Sequence, residues 1–168
     1  GEGWHTEFGG PHAEVHAILN ARSNPCGATA YVTMEPCCIE GKTPPCVQFL
    51  FENGISDVII GTLDPNPAVS GNGVKTLENL GLHVNIGVLE EEAIALNPGY
   101  NQWIKTGKPF VIGKVARSNN GKMGVDNQSR TQITGYYANL EVHKLRANVD
   151  AIMIGKNTAI VDDPHLTV

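Results

Sequence analysis

The sequence predicts an α/β fold, a three-layer α/β/α domain on a mostly parallel sheet, followed by the start of a second α/β domain. Three observations carry this. Short β-branched runs alternate with helix-patterned segments, the sign of βαβ units. The segments between the runs are long enough for right-handed crossovers, which place helices on both sheet faces. After Gly107 the pattern restarts from a new strand-like run.

The elements follow in order. Residues 12–22, HAEVHAILNAR, carry Val15, Ile18 and Leu19 at helical spacing and read as a short amphipathic helix. ATAYVTM (28–34) reads as a buried strand. Residues 44–54 open with Pro and close with Gly, the order of a helix start and stop. DVIIGTL (57–63) is a second buried strand, and DPNP (64–67) a turn. GVKTLENLG (73–81) reads as a helix and LHVNIGVL (82–89) as a strand. Residues 90–107 form a helix with an acidic first turn, interrupted at Pro98 and Gly99. Beyond TGKP at 106–109, which is linker-like, come a strand (109–118), a polar loop (118–130), a helix (136–148) and a strand (150–155). The domains are thus expected at 1–107 and 108–168.

Composition narrows the function classes. The 168 residues carry a net charge of −5, and their twelve Lys and Arg are spread thinly. A nucleic-acid binder usually shows a basic stripe, so a small substrate is expected and nucleic acid is not. No run approaches the ~20 apolar residues of a membrane span, and residues 1–10 lack the pattern of a secretory signal, so no membrane and a cytoplasmic location are expected. Four cysteines in such a setting suit metal ligation or free thiols better than disulfides.

The chemistry gathers in His12-Ala13-Glu14 and in Glu35-Pro36-Cys37 with Cys46 nine residues further on. A His-x-Glu triplet alone is weak. A Pro-Cys at a strand end and a second Cys in the first turn of a helix are stronger, because strand ends hold sites in open α/β sheets and helix starts favour thiolates. Residues two apart on a helix point to different sides, so His12 must sit at or before the helix start to share a site with Glu14. Three ligands, His12, Cys37 and Cys46, leave the fourth tetrahedral position of a zinc ion open, the mark of catalysis. Glu14 is then the group that moves the proton. Cys26 and Cys38 read as structural, and His16 and His143 as helix-surface residues.

HAEVHAI, TMEPCC, GKTPPC, DPNP and VLEEEA together resemble the deaminase domain of the bifunctional riboflavin-biosynthesis deaminase/reductase family. The nine-residue gap between the cysteines is that family's, where cytidine and tRNA-adenosine deaminases have Cys-x-x-Cys. TGKPFV, HKLRANVDAIMIG and NTAIVDDPHLTV are similar to the start of its reductase domain. The resemblance implies a cytidine-deaminase-like domain lacking its N-terminal portion, then a dihydrofolate-reductase-like domain lacking its C-terminal portion. The reductase part is therefore expected neither to fold nor to bind its cofactor normally. The implied activity is zinc-dependent hydrolytic deamination of a diaminopyrimidinone ribosylamine 5′-phosphate, with NADPH-dependent reduction of the ribose to ribitol in the intact protein.

By motif match, the resemblance implies substrate contacts from His5, Lys42, Asp64 and Asn66, with Lys42 suited to the phosphate. In the reductase part it implies cofactor contacts from Ala116, Gln132, Thr158 and Asp162, and substrate contacts from Arg130, Arg146 and Leu166. It leaves room for a homo-oligomer. Three places depart from the family. Cys38-Ile39 replaces Ser-His, Ser118-Asn119-Asn120-Gly121 replaces Ser-Leu-Asp-Gly, and Thr131-Gln132-Ile133-Thr134 lacks a Trp. Two other readings stand beside this one, a deaminase of another base or nucleoside and a non-catalytic zinc-stabilised binding domain.

Overall fold

The computed structural model describes residues 1–125 and 131–168. The chain divides into two compact units, Gly1–Val111 and Ile112–Val168.

In the first unit three parallel strands lie in the order β1 (Thr29–Met34), β2 (Asp57–Thr62), β3 (His83–Ile86). The central position of β2 explains its run of apolar residues, since both of its faces and both of its edges are covered. Val58 and Ile60 are fully buried against Val47 and Leu50 of α2 (Cys46–Glu52) and Val74 and Leu77 of α3 (Asn72–Asn79). Ile18 of α1 (Ala13–Leu19) closes the margin of this core.

The opposite face of the sheet carries α4 (Glu90–Leu96). A Cβ at Gly61 would lie 2.7 Å from the Ala93 side chain and 2.8 Å from the Thr33 carbonyl. Only glycine lets this helix lie so close to the strand. Helices thus flank both faces, giving the three layers. Pro98 then starts a separate helix, α5 (Pro98–Thr106), which Gly107 ends at φ 65°. Asn101 is buried at this corner, donating to the Ile94 and Asn97 carbonyls at 3.1 and 2.9 Å.

Two expectations need correction here. Residues 28–34 form a strand, but not a buried one. β1 lies at the sheet edge, its residues alternate between exposed and half-buried, and Tyr31 is 78% exposed. His16 is no ordinary surface residue, because its Nε2 is buried and has no hydrogen-bond partner among the described residues.

The second unit holds α6 (Tyr136–Ala147) and α7 (Lys156–Asp162). Strands were expected at 109–118 and 150–155, yet neither segment is one. An apolar, β-branched run suits a pleated surface but becomes a strand only with a neighbour to pair with. Here Val115 and Met153 stand exposed. Helix α7 was not anticipated. The loop after Ser118 is closed by Lys122 N–H donating to Ser118 Oγ and Ser118 N–H donating to the Lys122 carbonyl. Among the described residues of the chain, no helix is long and apolar enough to cross a membrane.

Candidate metal centre and its cavity

The site is assembled where three elements begin or end. His12 is the N-cap of α1, at φ −76° and ψ 169°, so its ring leaves the helix axis while Glu14 stays in the first turn. Both can therefore face one point. Cys37 follows β1 by three residues, and Cys46 is the first residue of α2, behind Pro45. The Cys46 N–H donates to Cys37 Sγ at 3.3 Å, and the Val47 N–H to the Cys37 carbonyl at 3.2 Å. The helix start is thereby fastened to the strand end.

His12 Nδ1 lies 3.4 Å from Cys37 Sγ and 3.3 Å from Cys46 Sγ, and the three atoms all lie within 4.8 Å of one another. Tetrahedral zinc ligands at about 2.0–2.3 Å from the ion stand about 3.5 Å apart. One imidazole nitrogen and two sulfurs at this spacing fit a zinc ion. Among the described residues, this is the group of three so placed.

Electrostatics are consistent with a cation at that point. The Cys46 thiol and backbone N–H both donate to Cys37, which, with His12 nearby, holds Cys37 down to about 5. Cys46 faces that sulfur and the Glu14 carboxylate, and is pushed up. Burial pushes the Glu14 carboxyl up, and the Cys37 charge adds to the rise. A divalent cation relieves this crowding of negative groups.

Beside the three ligands opens a cavity of about 800 Å³, lined among others by His5, Glu14, Asp64, Asn97 and Tyr100. Its size suits a small molecule. The His5 ring stands edge-on to His12, centroids 5.4 Å apart. Asp64, just past β2, is 9% exposed.

Asn66 and Lys42 are placed differently. Asn66 closes its own turn, its N–H donating to Asp64 Oδ1 at 2.8 Å and its Oδ1 accepting from the Ala68 N–H at 3.1 Å. The exposed Lys42 ammonium sits 3.9 Å from the centre of the Phe8 ring.

Glu35 has a larger part than its place in the Glu-Pro-Cys triplet suggested. It is 4% exposed and accepts from three backbone N–H groups: Asp64 at 3.2 Å, Gly71 at 2.9 Å and Val74 at 3.1 Å. One carboxylate thus ties the loop after β2 and the start of α3 to the residue before Pro36-Cys37. A Cβ at Gly73 would collide with the Pro36 carbonyl and lie 2.9 Å from Glu35 Oε1, so this joint requires glycine. A carboxylate directly ahead of Pro-Cys was the available signal. Its partners, 29 to 39 residues away, were not readable.

In the second unit, Ala116 and Asp162 are half-buried, while Gln132 and Thr158 are exposed. Gln132 donates to the Thr134 carbonyl at 3.4 Å. Arg146 donates to the Thr167 carbonyl at 3.1 Å, next to the half-buried Leu166. Arg130 lies outside the described residues. None of the described residues 112–168 is buried, and no strand end supplies a crevice. These residues do not by themselves build a dinucleotide site.

Comparison with known proteins places the two regions. Residues 1–62 match the cytidine and deoxycytidylate deaminase zinc-binding region, and residues 109–168 match the RibD C-terminal domain. The riboflavin biosynthesis protein RibD of Actinobacillus pleuropneumoniae is 44% identical over 98% of this chain and 44% of its own length. That of Aquifex aeolicus is 44% identical over 100% and 47%. Among solved structures, Acinetobacter baumannii RibD superposes with a TM-score of 0.90 at 42% identity, covering 99% of this chain and 47% of the other. A Thermotoga maritima diaminohydroxyphosphoribosylaminopyrimidine deaminase/5-amino-6-(5-phosphoribosylamino)uracil reductase superposes at 0.85 with 40% identity, covering 95% and 46%. The chain spans about half the length of these relatives.

Proposed function

Because this chain belongs to the RibD family of riboflavin biosynthesis proteins, we propose that residues 1–107 form a zinc-dependent deaminase of a phosphorylated diaminopyrimidinone ribosylamine. The observation that carries the proposal is the convergence of His12 Nδ1, Cys37 Sγ and Cys46 Sγ on one point, at a cavity that His12, Cys37 and the half-buried Glu14 line.

The reaction replaces a ring C–NH₂ by C=O, consuming water and releasing ammonia. The metal supplies, when bound, the Lewis acidity that makes water a nucleophile at neutral pH. His12, Cys37 and Cys46 would hold it. Glu14 takes a proton from the attacking water and passes it to the departing amino nitrogen, as its place on the cavity wall allows. His5 and Asp64 line the pocket that receives the ring. Lys42, held over Phe8, is free to meet the phosphate from the exposed side. Asn66 acts on the substrate side by keeping the Asp64 turn closed.

Residues 108–168 are proposed to belong to an NADPH-using reductase site in which Ala116, Gln132, Thr158 and Asp162 face the cofactor and Arg130, Arg146 and Leu166 the substrate. Four free cysteines accord with a cytoplasmic location, which we also propose. The test is direct. Ammonia release from the phosphorylated diaminopyrimidinone is measured for the wild type and for Glu14→Gln, alongside zinc content. The proposal requires about one zinc per chain in both and turnover only in the wild type. Undiminished turnover in Glu14→Gln refutes it.

A further inference from the structure

We propose that Tyr100 is a positioning residue that orients the Asp64 carboxylate toward the substrate. The inference rests on the proposed role of Asp64 and deepens it.

Tyr100 stands in the first turn of α5, 36 residues from Asp64 in sequence. Its hydroxyl donates to Asp64 Oδ1 at 2.9 Å. The Asn66 N–H donates to the same oxygen at 2.8 Å. The Asp64 backbone is itself held, its N–H donating to Glu35 Oε2 at 3.2 Å. A carboxylate can turn about its Cβ–Cγ bond. Two donors meeting on Oδ1 from the side chain of one helix and the backbone of its own turn stop that rotation. Oδ2 is the oxygen left for a ligand, and an ionised carboxylate only accepts. Its counterpart on the substrate is therefore an N–H or O–H group.

The placement suits that task. Asp64 and Tyr100 line the same cavity as Glu14 and Cys37. The interruption at Pro98 gives α5 a start of its own, with Tyr100 in its first turn. Asn101, beside Tyr100, fixes the corner through the Ile94 and Asn97 carbonyls. Burial, and then the Asp64 carboxylate, push the Tyr100 phenol well above its usual range. Across neutral pH it stays a donor. A phenylalanine here would fill the same space and leave Oδ1 with one donor fewer.

The experiment measures ammonia release by the full chain with the phosphorylated diaminopyrimidinone, for the wild type, Tyr100→Phe, Asp64→Asn and the double variant, with zinc content as a control. Tyr100→Phe is expected to raise KM about tenfold with kcat within about twofold and zinc unchanged. Asp64→Asn is expected to raise KM more. In the Asp64→Asn background the Tyr100→Phe change is expected to add nothing further, because the two act through one bond. An Asp64→Asn defect with no Tyr100→Phe defect overturns this inference and leaves the deaminase standing, as do additive effects in the double variant. A normal KM in Asp64→Asn overturns it too, by removing Asp64 from the substrate. A wild type that releases no ammonia overturns the proposed function, and this inference with it.

Discussion

The two units of the chain differ in what surrounds their strand-forming runs. DVIIGT at 57–62 has a parallel neighbour on each side and helices on each face, and Val58 and Ile60 are sealed from solvent. PFVIGKVARS at 109–118 is as rich in apolar and β-branched residues, yet it lies mostly exposed and pairs with no strand among the described residues. The lesson is that a strand is a property of a pair. Sequence pattern states that a run is fit for a sheet, and only a neighbour makes it part of one.

Amide hydrogen exchange gives the widest test of this contrast. The β2 amides are expected to exchange at least ~10³-fold more slowly than an unprotected chain, and those of 109–118 and 150–155 at close to the unprotected rate. Equal protection in both would break the comparison.

The second test concerns chemistry. Glu14→Gln in the first unit is expected to lower ammonia release by about 10²–10⁴-fold at constant zinc content. Thr158→Ala in the second should leave release within about twofold. A larger loss from Thr158→Ala would mean that the second unit takes part in deamination.

Stability comes third. Leu50, 1% exposed, lies at the centre of the core. Leu50→Ala is expected to cost about 2–5 kcal/mol, and Ile152→Ala, at a site 36% exposed, less than about 0.5 kcal/mol. Urea titration of both variants would show whether the contrast holds.

The smallest effect is on pH. In the folded protein without metal the Glu14 carboxyl titrates above its ordinary value of 4.5. The folded state thus keeps a proton that the unfolded state releases. The stability this contributes is complete below the ordinary value and is lost as pH rises through the raised one. In EDTA-treated samples the wild type should therefore weaken relative to Glu14→Gln over that interval. Denaturation midpoints at several pH values, parallel for the two proteins, would contradict it.

How much of this was legible depends on the range over which each residue acts. The helices near His12 and Cys46, and β2, were readable because helical apolar spacing, Pro-Gly punctuation and apolar runs are local. The two-residue spacing of His12 and Glu14 also required His12 at the helix start, where it is found. What could not be read was whatever depends on distant partners. Glu35 and Tyr100 look ordinary in sequence, and their meaning comes from backbone and carboxylate groups 29 to 39 residues away. The edge position of β1 depends likewise on strand order, and composition carries no record of it. Helix α7 was missed for want of a start or stop signal stronger than Gly155.

The fastening of Cys46 and Val47 to Cys37 has one more consequence. With both feet of the segment 38–45 pinned, its length is uncoupled from the spacing of the sulfurs. Lengthening a closed loop costs only about 0.6 kcal/mol per doubling. Two glycines inserted after Gly41 should leave zinc stoichiometry as it is, and loss of zinc would show that the arch itself bears on the ligands. If the arch is indifferent, selection can lengthen or shorten it to reshape the mouth of the cavity while the ion stays where it is.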